Sequence, residues 1–467
     1  MPLAHTSDPC GSCGIPDQKS LRARLEPPEI SDRQPIARPN KTMKKVLFIA
    51  YLYPPIANSG TRRSLEFVNH LPENGWEPIV LTVANPAPKA CEPSLLDEVR
   101  PGTRVERVPL WSDIAAEKIA AVFGMFGNRN RLADGLKWRI ERFFQIPDDC
   151  AAWKSTAIRH AVALHEQEGF DAIYATGWPW TSFLIAAEVS RKTGTPFVVD
   201  YRDLWKPSDA EWDKHTKLQK WLQPHLEKKV LRNAAAVITT TPSFAKILDE
   251  EGARGKAICI TNGFDPDDFL GSTASDDSNR DSLVKISYTG VWRPGYGPDN
   301  LYEALRRLKD AGSSCLARLR VTVAGFPPGR AREYGINDVI EELGQVPHGR
   351  AVDLMMNASA LYLPVSKGIY EKASLPGKLF EYLGSGRPII ASSLPDSEVT
   401  AVLSSVGGNC VVAPGDIDGL AKAIEKLCAA DGSTAFSERI PGAAARYERS
   451  SLTKDLAALL DHVSRTP

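Results

Sequence analysis

The stretch that decides the reading is Ser374-Leu-Pro-Gly-Lys-Leu-Phe-Glu-Tyr-Leu-Gly-Ser-Gly-Arg-Pro-Ile-Ile390. Pro376 and Gly377 are turn residues, and proline is favoured at a first helical position. Leu379, Phe380 and Leu383 then recur at helical spacing. Gly384, Ser385 and Gly386 end that helix, because glycine tolerates a left-handed cap. The apolar run from Pro388 reads as a buried parallel strand. A helix that opens on a tight turn offers free N–H groups and a positive dipole end, which suits an anion. Lys378 adds a full charge there, and Glu381 lies one turn later on the same face. A cation for phosphate and a carboxylate for a sugar diol fit a nucleotide sugar. An ordinary surface Lys–Glu pair fits the spacing equally.

The pattern Ser-x-Pro-x-Lys-Leu-x-Glu-Tyr-Leu-x-x-Gly-x-Pro-Ile-Ile resembles the donor segment of GT-B glycosyltransferases, especially those similar to family 4. The resemblance runs from about Lys44 to the C-terminus. It implies two doubly wound, Rossmann-like α/β domains facing a cleft. It also implies transfer of a sugar from a nucleoside diphosphate sugar to an acceptor hydroxyl. Glu381 would hold the ribose. Ser374, Pro376, Gly377 and Leu379 would line the diphosphate, with Lys378 as its cation. Retention of configuration, no cofactor and no metal ion are further implications. There is one departure: the second acid of many relatives, eight positions before the ribose glutamate, is Ala373 here, with Glu371 two residues earlier. An epimerase of the same fold acting on the nucleotide sugar alone, or a non-catalytic nucleotide-binding relative, are the alternatives.

Composition bounds the rest. A chain of 467 residues is long enough for two or three domains, each with its own core. Acidic and basic residues balance at 57 each, against the basic excess of a nucleic-acid binder. Eight scattered cysteines point to a reducing, cytoplasmic setting rather than a disulfide scaffold. Residues 1–42 are rich in Pro, Ser, Asp and Arg and are expected to be a disordered extension. Cys10 and Cys13 within it have redox or metal spacing, or are two free thiols. No secretory leader is legible, and no apolar run reaches the ~18 residues of a membrane span.

The first domain is expected over 43–265. A strand at Val46–Ala50 leads through a Gly-containing loop into a helix, the way α/β proteins place ligands at strand ends. By resemblance, Asn58, Ser59 and Gly60 in that loop face the donor phosphate; otherwise Gly60 merely starts the helix. Further strands are expected at 78–83, 104–110, 171–176, 196–200, 235–240 and 257–261. After the fifth strand, Arg202 and Asp203 stand where relatives carry a His–Asp pair. Arg202 is read as a bidentate donor and Asp203 as a hydroxyl acceptor, or the two as an ion pair fixing the loop.

Residues 266–283 read as a linker. The donor domain is expected over 284–450, opening with a strand, a Gly-rich loop holding Gly290 and Arg293, and a helix. Val346 falls in the segment that resembles the nucleobase contact. A last helix, 451–467, crosses back to the first domain in the resembled fold. Ile114 to Phe144 mixes basic residues with Trp138, Phe143 and Phe144. It is either a pair of surface helices or a peripheral contact with the inner face of a membrane, which would suit a sugar or lipid-linked acceptor.

Overall fold

The computed structural model describes residues 43–86, 90–111, 146–206, 212, 215–270, 283–290, 297–365, 371–429 and 436–465. The N-terminal extension with Cys10 and Cys13, most of the linker, Arg293 and the 114–144 segment lie outside them.

Two parallel sheets organise the chain. The first has seven strands in the order β3-β2-β1-β4-β5-β6-β7. They are β1 Lys44–Ile49, β2 Trp76–Val83, β3 Arg104–Val108, β4 Ala172–Gly177, β5 Phe197–Tyr201, β6 Ala236–Thr239 and β7 Ala257–Cys259. The second has six in the order β10-β9-β8-β11-β12-β13. These are β8 Val284–Thr289, β9 Leu319–Ala324, β10 Ile340–Gly344, β11 Ala360–Pro364, β12 Ile389–Ser392 and β13 Cys410–Val412. The helices used below are α1 Ser59–His70, α2 Lys154–Glu168, α3 Thr181–Thr193, α4 Lys217–Asn233, α5 Pro242–Leu248, α6 Asp299–Asp310, α7 His348–Met356, α8 Gly377–Gly384, α9 Glu398–Val406, α10 Ile417–Ala429 and α11 Arg449–Arg465. The two doubly wound sheets meet the expected fold class.

The strands are apolar throughout because both faces of each sheet are covered. In β1, Leu47 and Ile49 enter one core cluster, while Val46 and Phe48 enter another on the opposite face. In β11, Ala360 and Tyr362 face one core and Leu361 and Leu363 the other. Each of the Val, Leu, Ile and Phe side chains among them contributes about 1.5–3 kcal/mol on burial. The last helix, α11, lays Leu452, Leu456, Leu460 and Val463 against the first sheet, in one cluster with Val46, Phe48 and Tyr174. Its far end is tied by Lys44 Nζ to Asp461 at 2.8 Å.

Both sheets reverse their winding beside their first strand. In the first, the reversal lies between β1 and β4; in the second, between β8 and β11. Crevices at the carboxyl ends of such strand pairs are where open α/β sheets bind ligands. The loop after β1 and the loop leading to α8 both fall there.

One polar cluster is built into the first core. Arg63 of α1 donates to both carboxylate oxygens of Asp200 at the end of β5, at 2.8 and 2.9 Å. It also donates to the carbonyls of Ile260 and Thr261. Tyr174 adds a hydroxyl donor to Asp200 at 2.5 Å. Removing one member strands a buried charge, which costs about 3–5 kcal/mol. Arg63→Leu is therefore expected to lower stability by about that amount, read as a lower denaturation midpoint in urea. A midpoint within the error of wild type would show that the pair carries no stability.

Candidate active site

Helix α8 comes first. Pro376 is its N-cap, with extended backbone at φ −67° and ψ 140°, one position earlier than its expected place inside the helix. The backbone N–H groups of Gly377 and Lys378 have no hydrogen-bond partner among the described residues, while Leu379 N–H is taken by Pro376 O at 3.0 Å. Leu379 is fully buried among Leu361, Phe380 and Leu383. It is thus a core residue, and its side chain cannot line a ligand. At the other end the chain turns out through Gly386, whose φ of +73° is the left-handed conformation that favours glycine. Gly384 is instead a helical residue, packed close to Phe264 and Phe269.

The polar face of α8 is turned onto the end of β8. Tyr382 Oη accepts from Thr289 N–H at 2.9 Å, and is within 3.2 Å of Thr289 O as donor. One turn earlier, Lys378 Nζ donates to Tyr288 Oη at 3.0 Å and sits 4.3 Å from the centre of that ring. The ammonium occupies the space a side chain at residue 290 would need: a Cβ on Gly290 would lie 2.1 Å from Nζ. Burial, only partly opposed by the charge of Glu381, pushes the Lys378 pKa down to about 8. Burial raises the Glu381 carboxyl, against the pull of His348, Arg449 and Lys378 and with a further push from Asp268. Lys378 and Glu381 are therefore not the surface pair that spacing allows. Both are half-buried, and no ion pair joins them among the described residues.

A second glycine and cation meet in the first domain. Arg202, just past β5, donates to the carbonyls of Gly177 and Trp178 at 2.7 and 2.8 Å. A Cβ on Gly60 would lie 1.4 Å from its Nη1. Burial lowers the Arg202 pKa, opposed by Asp203 and Asp200. The alternative Arg202–Asp203 ion pair is not formed; Asp203 is exposed and Arg202 is held by backbone carbonyls instead.

Other expected residues are placed differently. Asn58 is the N-cap of α1, its side-chain oxygen accepting from Gly60 N–H at 3.0 Å, so its polar group is engaged. Ser59 is exposed at the first position of α1. Ser374 is half-buried in the approach to α8, and Val346 is half-buried in the loop after β10. Sequence reasoning missed Tyr288 and Tyr382. Tyr382 stands four residues after Lys378, a helical spacing that could have paired the two on one face. It also missed Arg449 and His348, which bring positive charge near Glu381 from distant parts of the chain.

Two groups of described residues each bring together three side chains of metal-ligating type: Glu66, His70 and Asp265, and Asp148, Asp149 and Cys150. Asp148 already accepts from the N–H and hydroxyl of Thr181 and from Cys150 N–H. Its carboxyl is raised to about 6 by burial.

Comparison with known proteins places this architecture. Residues 60–263 match the family model for a glycosyl transferase 4-like domain. Residues 284–430 match the model for glycosyl transferases group 1. The chain belongs to the family-4-like glycosyltransferases of GT-B fold, and it is a glycosyltransferase. No curated protein matches it by sequence. Among solved structures it resembles sucrose-phosphate synthase from Thermosynechococcus elongatus, at 16% identity, over 90% of this chain and 96% of that one, with TM-score 0.55. Anabaena HepE in complex with UDP-glucose matches at 15% identity over 90% and 99%, with TM-score 0.56. The trehalose-6-phosphate phosphatase N-terminal domain of Candida albicans matches at 12% identity over 91% and 98%, with TM-score 0.59. These likenesses are of fold. No helix among the described residues is long and apolar enough to cross a membrane.

The seat over Gly290 has a direct readout. With lysines dimethylated with ¹³C, the Lys378 resonance is expected to titrate near pH 8. Titration at the ordinary lysine value of about 10.4 would mean that the ammonium is solvated.

Proposed function

We propose that the donor is a nucleoside diphosphate sugar held on the second domain by α8. The observation that carries this is the half-buried Lys378 ammonium, seated over Gly290 beside two free N–H groups of α8. In this reading those N–H groups and Lys378 receive the diphosphate, and Glu381 accepts from the ribose hydroxyls. The titles of HepE structures, which name UDP and UDP-glucose, support a nucleotide-sugar donor by likeness of fold.

The chemical demand is to stabilise negative charge on the departing diphosphate. Charge-assisted hydrogen bonds contribute about 1.5–3 kcal/mol each, and they act more strongly in a site that excludes water. Lys378 and the α8 N-terminus meet that demand from the donor side. Arg202, seated over Gly60, is positioned on the acceptor domain for the same charge or for an acidic acceptor. Asp203, exposed beside it, accepts from an acceptor hydroxyl. Arg293 belongs to the loop after β8, outside the described residues, and is proposed as a further diphosphate cation. The acceptor is a sugar or lipid-linked hydroxyl. The basic and aromatic 114–144 segment, also outside the described residues, is what supports a membrane-proximal acceptor.

Diphosphate binding favours the charged form of Lys378, so the sign of the pH dependence is set. The free site has its lysine pKa near 8 and the bound site a higher one. Diphosphate affinity is therefore full below about pH 8 and falls as pH rises above it. Calorimetry with UDP, GDP and ADP from pH 6.5 to pH 9.5 checks this; affinity that rises above pH 8 would overturn the assignment. At pH 7, Glu381→Gln is expected to weaken the preferred nucleotide by about 10- to 150-fold, the equivalent of one lost charge-assisted bond. Unchanged affinity would remove Glu381 from the ribose. Transfer is expected to continue in EDTA, because the site supplies its own cations. Complete loss restored by Mg²⁺ or Mn²⁺ would refute metal independence.

A further inference from the structure

Outside the cleft residues, three side chains of metal-ligating type converge where α1 meets the chain leaving the first domain. They are Glu66 and His70 of α1 and Asp265 beyond β7, and their ligand atoms all lie within 4.8 Å of one another. Glu66 and His70 are four residues apart, so helical geometry puts them on one face. Glu66 is only 7% exposed and makes no hydrogen bond among the described residues. His70 Nε2 stands 3.8 Å from its Oε2, beyond hydrogen-bond range. A buried carboxylate left without a hydrogen bond is rare in a folded chain, and a bound ion is one way to satisfy it.

The surroundings orient the other two groups. His70 Nδ1 is 3.4 Å from one oxygen of Glu73, and Arg100 donates to the other oxygen at 2.9 Å. With its Nδ1 proton turned to Glu73, the imidazole presents the Nε2 lone pair to Glu66. An outer carboxylate that fixes the tautomer and ring in this way is the usual support of a metal-binding histidine. Asp265 caps the short helix that begins at Pro266, its Oδ1 accepting from Asp267 N–H at 2.9 Å. Its Oδ2 has no hydrogen bond among the described residues and remains for a ligand.

We propose that Glu66, His70 and Asp265 bind one divalent transition-metal ion, which clamps the end of α1 to the chain leaving the first domain. The donor set selects the ion. Mg²⁺ and Ca²⁺ take oxygen ligands, whereas one imidazole with two carboxylates suits Zn²⁺. At bonds of about 2.1 Å, a tetrahedral ion holds its ligand atoms about 3.4 Å apart. The 3.8 Å between Glu66 and His70 closes to that by a few tenths of an ångström. Water takes the fourth position. Glu73 and Asp268 add negative charge around the ion, against the Arg449 guanidinium near Glu66. His70 lies about 15 Å along α1 from the Gly60 seat. The ion is thus a structural clamp, independent of the donor reading and compatible with transfer in EDTA.

The test uses the full-length protein carrying Cys10→Ser and Cys13→Ser, so that those two thiols bind no metal. It is dialysed against EDTA and then against metal-free buffer. Zn²⁺ is titrated by calorimetry, and Co²⁺ by its visible absorption. One equivalent of Zn²⁺ that is lost in His70→Gln is expected, and saturation should raise the melting temperature of the parent. Glu66→Gln should weaken Zn²⁺ at least about 100-fold, more than loss of an outer partner costs. Glu73→Gln, which loses only the orienting carboxylate, should weaken it about 10- to 100-fold. Glu73 is exposed, so this variant decides even if the buried one fails to fold. His160→Gln, whose ring is paired with Glu106 instead, should leave Zn²⁺ affinity unchanged. Equal Zn²⁺ affinity in the parent and in both His70→Gln and Glu73→Gln would overturn the proposal. So would a melting temperature that Zn²⁺ leaves unmoved in the parent, or that Mg²⁺ raises as much as Zn²⁺.

Discussion

The guanidinium of Arg63 is the joint on which the first domain and its exit depend. It reaches β5 through both oxygens of Asp200 and the end of that domain through the carbonyls of Ile260 and Thr261. Burial disfavours its charge, but Asp200 outweighs that and raises the Arg63 pKa. A buried charge persists only where every polar contact around it is made, and here the partners come from α1, β4, β5 and the segment after β7. The same joint aims the chain that follows. Phe264 pairs with Glu448 as a short parallel bridge, and Arg449 N–H donates to Phe264 O. Helix α11 therefore starts from a point fixed by Arg63, then returns across the first sheet.

Helix α1 carries this constraint toward the cleft. Its N-cap is Asn58 and its second residue is Gly60, the seat of the Arg202 guanidinium. In the other domain Gly290 seats the Lys378 ammonium in the same way. The two arrangements share a physical logic. A missing Cβ beside a winding reversal makes room for a cation drawn from a neighbouring strand or helix. Contact between the domains is made elsewhere: Glu398, in the first turn of α9, accepts from Ser243 N–H and Oγ at 2.9 and 2.5 Å. Ser243 lies in the first turn of α5, so this carboxylate also meets the positive end of a helix dipole.

Much of this was legible because it is local. Apolar runs mark strands, turn residues mark their ends, and Pro376 to Gly386 read as a helix with its boundaries nearly right. Both glycine seats were singled out by their place after a strand. What spacing cannot supply is which way a face turns. Lys378 and Glu381 share a side of α8, but only the fold shows that side packed on Tyr288 and Thr289 rather than solvated. Leu379 looked available because its neighbours are, yet helical geometry sends it into the core. Asn58 was read as a ligand contact, and the fold adds that its oxygen closes α1. Arg63 and Asp200 had no local signature at all, since their pairing depends on register between elements far apart in the chain.

The protonation of Lys378 shows how such a site can be ready before its ligand arrives. A lysine whose pKa has fallen to about 8 is charged near neutral pH but held at a cost, with the Tyr288 hydroxyl and ring as its contacts. The charge is not neutralised by an ion pair among the described residues, and in the proposed reading an incoming anion would supply what the fold withholds. Glu381 shows the complementary bias. Burial disfavours its ionised form, and hydroxyl donors would restore it. A ligand with negative charge at one end and vicinal hydroxyls one helical turn away relieves both at once. Neither a free phosphate nor a free sugar does so alone, and in the proposed reading this joint demand on α8 would be the physical basis for selecting a nucleotide over its parts.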